Sequence, residues 1–213
     1  MASGEDKKKE KRALSKAEQS RLDRFQSIVK ELETQGYMRH DLTISIKKAN
    51  VFAILLLIPL CIIGYGVYYL VNRSFDFGGS NIWLFLAAFV VLVVVHELIH
   101  GLFWSIFTPH HFKDIEFGIM RPSYNPYCTC LVPLKKTQYL IGTVMPLILL
   151  GVLPMIVGIA IKNTDVLFLG ILMADGAAGD IMIIHRLLGY KSSAGEITYM
   201  DHPTEAGGVV FER

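Results

Sequence analysis

Polar and apolar positions divide the chain sharply. Residues 1–49 are predominantly polar, residues 51–188 carry nearly all the long apolar runs, and the chain turns polar again from Gly189. Val51 to Val71 is 21 residues without a charge, and an α-helix needs roughly 20 to cross ~30 Å of hydrocarbon. Runs from Ile82 to about Phe107, from about Tyr139 to Ile161 and from Val166 to Leu188 have comparable length. Pro146 and Pro154 predict kinks in the third run. The stretch from Asp114 to Lys136 is too apolar for an ordinary loop and too broken by proline for a span. It predicts a re-entrant or interfacial hairpin.

The polar flanks are simpler. Ser15-Lys16-Ala17-Glu18 is a capping box, after which Leu22, Phe25, Val29 and Leu32 recur at helical spacing until Gly36. This predicts an amphipathic helix that packs its apolar stripe on the rest of the protein. Lys7 to Arg12 are too charged to bury anything and predict a disordered tail. Tyr37 to Ile46 alternates weakly, the pattern of a short strand leading to the membrane. The segment from Gly189, ending in Met200-Asp201-His202-Pro203-Thr204-Glu205, reads as a tail with a turn. The expected fold class is therefore an all-α integral membrane protein with four transmembrane helices.

Composition supports this class: 52% of residues are hydrophobic, and the mean hydropathy is +0.42. Of the 21 Lys and Arg residues, four spans leave 19 on one side and 2 on the other, so both termini are expected in the cytosol of a multi-pass cell-membrane protein. A net charge of +2 leaves no basic surplus for a polyanion, and nucleic-acid binding is not expected. Three cysteines do not make a disulfide framework, and Cys128-Thr129-Cys130 is expected to hold two reduced thiols.

The candidate chemistry interrupts the second run. His96-Glu97-Leu98-Ile99-His100 is an HExxH motif, which on a helix sets two imidazoles four residues apart on one face, where both can bind one zinc ion. Glu97, beside the first, is placed to act as general base toward an attacking water. Ionisable groups inside a membrane span are costly and are normally there for function. A catalytic zinc takes a third protein ligand, and the fourth run offers Asp175 and Asp180. At 1.5 Å per residue, His96 and His100 lie about 21 and 27 Å from the start of their span, Asp180 about 21 Å and Asp175 about 13 Å from the start of theirs. Depth favours Asp180, with Asp175 the alternative. His110-His111 reads as an exposed polar pair, and His40, His185 and His202 have no ligand-spaced partner.

An HExxH-bearing span that enters from outside, a broken Pro-rich stretch, a proline-bearing span and a last span with Gly179-Asp180 together resemble site-2-protease-type intramembrane zinc metalloproteases. HELIHG, the later Ala177-Ala178-Gly179-Asp180-Ile181 and the terminal DHPTEAG more closely resemble a bacterial domain-of-unknown-function family described as "putative zincin peptidases". The resemblance covers roughly residues 36–210. It implies zinc on His96, His100 and Asp180, with Glu97 as base. Site-2 proteases usually set their aspartate in LDG or NPDG, and the nearest match here is Ala174-Asp175-Gly176.

The organisation expected is a cytosolic basic tail and amphipathic helix over 1–49, a four-span metalloprotease core over 50–188 and a cytosolic C-terminal tail over 189–213. The expected activity is hydrolysis of peptide bonds in membrane protein or peptide substrates near the cytosolic side of the bilayer. The alternatives are a catalytically inactive protease-like scaffold that binds transmembrane helices and, behind it, a small metal transporter. A scaffold needs no base beside its ligands, and a transporter would be expected to show a repeat.

Overall fold

The computed structural model describes residues 14–75, 81–120 and 125–213, so the basic segment 1–13 and the Gly78-Gly79 turn lie outside the described residues. Helix α1 (Lys16–Thr34) starts at the expected capping box: the Ser15 hydroxyl accepts from the Glu18 N–H, and the Glu18 carboxylate accepts from the Ser15 N–H. Strand β1 (Met38–Thr43) leads into α2 (Ile46–Asn72), and α3 (Ile82–Ser105) follows. Asn81 caps α3 by accepting from the Trp83 and Leu84 N–H groups.

The third apolar run is α4 (Lys136–Pro146) and α5 (Leu153–Ala160), joined by a π-helical turn over Leu147–Val152. Pro154 lacks an N–H, and its ring crowds the carbonyl four residues back, which widens the turn just before it. The fourth run is α6 (Thr164–Gly176) and α7 (Ala178–Gly189), bent by 48° at the break. Gly176 and Gly179 flank that break, where helix propensity is lowest. Three helices, Ile46–Asn72, Ile82–Ser105 and Lys136–Ala160, are long and apolar enough to cross a membrane, and the bent α6–α7 pair makes a fourth if it counts as one span.

Packing agrees with that composition. Ile54, Leu55, Ile58 and Ile62 on α2, and Trp83, Leu84 and Val90 on α3, are exposed, a larger apolar surface than soluble monomers carry. On the inner side Tyr68, Leu167 and Ile171 form a buried cluster, and the Tyr68 hydroxyl donates to the Lys162 carbonyl at 3.0 Å.

The expected all-α fold needs correction. A four-stranded antiparallel sheet runs in the order β1-β6-β5-β4, where β4 is Leu134–Lys135, β5 is Ile197–Asp201 and β6 is Gly207–Glu212. Its strands are only two to six residues long, and β6 is buried on both faces, so Val209-Val210-Phe211 shows no alternation to mark it. One face receives the apolar stripe of α1, with Phe25 against Met200, Val209 and Phe211. The other face packs Tyr199 and Val210 on Trp104, Tyr139 and Leu187 of the helices.

A separate antiparallel pair, β2 (Ile115–Met120) with β3 (Asn125–Cys130), occupies the Pro-rich stretch. Helix α1 also grips this pair through Arg21–Glu116 at 3.0 Å, and the turn just before it through Arg24–Asp114 at 2.6 Å. Chain order puts α1, all six strands, the start of α2, the end of α3, the start of α4 and the end of α7 at one end of the bundle.

Gly170 marks a close helix contact: a Cβ there would lie 2.7 Å from the Met155 nitrogen and 2.8 Å from the Gly151 carbonyl oxygen. Gly170→Leu is expected to destabilise the protein by about 1–3 kcal/mol, read from its unfolding midpoint in detergent. A second prediction concerns α1. Burial opposes ionisation of Asp114, but the Arg24 guanidinium and the His110 N–H outweigh it and hold the carboxyl below its usual value. The docking of α1 is then retained at neutral pH and weakens as pH falls below about 4. Arg24→Met should weaken it by about 1–2 kcal/mol at pH 7, since Arg24 itself is partly exposed, seen as faster amide exchange across α1.

Candidate metal centre

Helix α3 carries His96, His100 and Trp104 at four-residue intervals, so all three side chains fall on one face. The three are buried. The two imidazoles meet edge to face with ring centres 4.9 Å apart, and Trp104 stacks on His100 at 5.2 Å. Asp180 enters from α7. The break after α6 restarts the helix at Ala178, which places Asp180 in the first turn, where unpaired N–H groups and the helix dipole favour a carboxylate.

The three donors converge. His96 Nε2 lies 3.2 Å from His100 Nε2 and 3.1 Å from Asp180 Oδ2, and His100 Nε2 lies 3.4 Å from Asp180 Oδ1. Tetrahedral zinc with bonds of about 2.05 Å to nitrogen and oxygen sets its ligand atoms about 3.3 Å apart. The observed separations match that spacing. His100 is also turned correctly for a ligand: its Nδ1 lies 2.9 Å from the Gly142 carbonyl, which can only accept, so Nδ1 carries the proton and Nε2 keeps its lone pair for the cluster. The donor set therefore fits zinc. Among the described residues, no other group of three His, Cys, Asp or Glu side chains has this geometry.

Helix α4 comes close to this site at Gly142. A Cβ there would lie 2.1 Å from the Trp104 ring, so glycine is what allows the helix backbone to approach both Trp104 and His100. The Trp104 Nε1–H donates to the Tyr139 carbonyl at 3.0 Å. Glu97 sits on the adjacent face of α3 and lines the same cavity as Cys128 of β3. His96, Glu97, His100 and Asp180 all line a cavity of about 460 Å³ that also touches β3 and the loop between β5 and β6.

Other candidates sit differently. Asp175 belongs to α6, lines the same cavity and stands outside the cluster. Its Oδ1 is buried without a hydrogen-bond partner. Cys128 and Cys130 are free thiols. Burial, reinforced by the nearby Asp201 carboxylate, raises both pKa values and pushes Cys130 up to about 12, so both stay protonated. His110 Nδ1 lies 3.2 Å from Asp114, and His111 Nδ1 donates to the Ser105 carbonyl. His202 accepts from the Thr204 and Glu205 N–H groups within the β5–β6 turn, and that turn borders the cavity.

Sequence reasoning missed four residues that support the cluster: Trp104, Tyr139, Gly142 and Asp201. Trp104 could have been found, since it continues the four-residue spacing of the motif. Asp201 opens the DHPTEAG segment without its role being legible there, nothing local marks Tyr139 or Gly142, and all three act through contacts 35 to 71 residues away in the chain.

No curated protein and no solved structure matches the chain. Residues 89–194, which carry the HExxH helix, the β2–β3 pair and Asp180, match the model of a family described as "Putative zincin peptidase", and this match supports a zinc metallopeptidase.

Proposed function

We propose that the protein is an intramembrane zinc metalloprotease that cleaves membrane-associated protein substrates near the cytosolic side of the bilayer. His96, His100 and Asp180 hold the zinc in this reading, and Glu97 is the general base. The observation that carries it is the convergence of those three donors, from two helices, at zinc-like spacing and beside a glutamate on one cavity. The location rests on the gathering of every strand and of α1 at the end of the bundle where α3 delivers the motif, together with 19 of 21 basic residues on that side.

When bound, zinc would supply Lewis acidity at the scissile carbonyl and toward the attacking water. Glu97 takes the proton from that water and passes it to the leaving amine. A transmembrane helix satisfies its backbone hydrogen bonds internally, so the substrate must be locally extended before its peptide bond is reached.

The β3 strand offers a place for an extended segment. The Leu131 N–H donates to the Asp114 carbonyl, which continues the β2–β3 ladder and makes Thr129 and Tyr127 the residues that exchange hydrogen bonds with β2. Pro126 and Cys128 then turn their carbonyls to the outer edge, on the side of the cavity. An extended substrate could donate its N–H groups to those two acceptors.

Purified Glu97→Gln should retain wild-type zinc content and lose about 10²–10⁴-fold in cleavage rate. Equal cleavage by wild type and variant would mean that the base is another residue. Asp180→Asn should lose zinc while Asp175→Asn keeps it, and metal analysis showing the reverse would reassign the third ligand. Removing residues 116–129 should abolish cleavage with zinc retained; full proteolysis by that variant would rule out the strand as a substrate platform.

A further inference from the structure

We propose that Asp201, at the end of β5, is a positioning residue for the metal cluster, so that the C-terminal hairpin completes the site. The inference rests on the zinc reading above. Asp201 lies beyond the residues matched by the zincin family and stands outside the three-donor cluster. Its carboxylate joins two elements that each hold one working group. Asp201 Oδ2 accepts from the Cys130 N–H at 2.7 Å, and Oδ1 accepts from the Tyr139 hydroxyl.

The Tyr139 bond reaches His100 through α4. Tyr139 stands in the first turn of that helix and is 1% exposed. Its carbonyl receives the Trp104 Nε1–H and, at 2.8 Å, the Thr143 hydroxyl. Trp104 stacks on His100, and Gly142, three residues further along α4, receives the His100 Nδ1–H. Both contacts that set the His100 ring therefore depend on where α4 sits, and Asp201 anchors its beginning.

The Cys130 bond reaches Glu97 through β3. The ladder register turns the Cys130 and Cys128 N–H groups to the same outer edge of the strand. Asp201 takes the first, and the second belongs to Cys128, which lines the cavity together with Glu97. Asp201 thus holds the strand that meets the proposed base. Its position on β5 is itself fixed, because Asp201 pairs with Gly208 of β6 and β6 is buried on both faces.

The test is cobalt substitution in the full-length protein in detergent, since the visible absorption of Co²⁺ reports the geometry of its ligands without requiring a substrate. Asp201→Ala removes both acceptors. It should weaken Co²⁺ binding about 10–100-fold and shift or broaden the band, at a temperature where circular dichroism shows the protein folded. Asp201→Asn can keep the Cys130 bond and donate to the Tyr139 oxygen, so it should return the spectrum and recover affinity to within about threefold of wild type. Tyr139→Phe deletes only the hydroxyl, should show an intermediate loss, and should add nothing to Asp201→Ala in the double variant. If Asp201→Ala does not fold, Tyr139→Phe decides alone. Wild-type spectra and affinities in every folded variant overturn the positioning role and leave the zinc reading standing. A wild-type protein that takes up neither Co²⁺ nor Zn²⁺ overturns the zinc reading and this inference together.

Discussion

An ionisable side chain carried into an apolar bundle costs several kcal/mol unless a partner meets it there. His96, His100 and Asp180 satisfy that requirement among themselves, across 84 residues of chain and from two different helices. Much of the helical architecture follows from it. Helix α3 can stay straight, because four-residue spacing already puts both imidazoles on one face. The fourth apolar run bends by 48° between α6 and α7. Its break at Gly176–Ala177 supplies a new helix start three residues before the carboxylate.

Convergence alone does not orient imidazoles. His100 is held by a backbone carbonyl on one side and an indole face on the other, and both come from the approach of α4 to α3 at a position where no Cβ intervenes. That approach is stabilised from outside the helices. Tyr139 and Leu187 form one buried cluster with Tyr199 and Val210 of the sheet, while α1 closes the sheet's other face. The sheet thus joins the beginning of the chain, the segment after the β2–β3 pair and the end of the chain. It sits against the end of the bundle where the proposed chemistry takes place.

Much of this was legible along the chain, and the reason is the short range of the signals. Runs of about 21 apolar residues, a capping box and two histidines four apart are local patterns, each read within a turn or a span. They determined the spanning-length helices, the start of α1 and the face shared by His96 and His100. Depth along the spans favoured Asp180 over Asp175, and Asp180 is the acid that stands beside the two histidines. The premise behind it was partly wrong, since the two acids stand on separate helices joined by a bend.

Tertiary structure decided the rest. Only β1 shows a weak alternation; the other strands of the sheet are too short, or in β6 too completely buried, to show one, and their pairing joins residues as distant as Met38 and Glu212. Gly142 acts by the absence of a side chain, and Asp201, although it opens the DHPTEAG segment, acts through donors brought to it by two separate elements, so neither role is written in the sequence. Local chemistry determined which residues could bind a metal. Long-range packing decided whether their lone pairs would point at the same place.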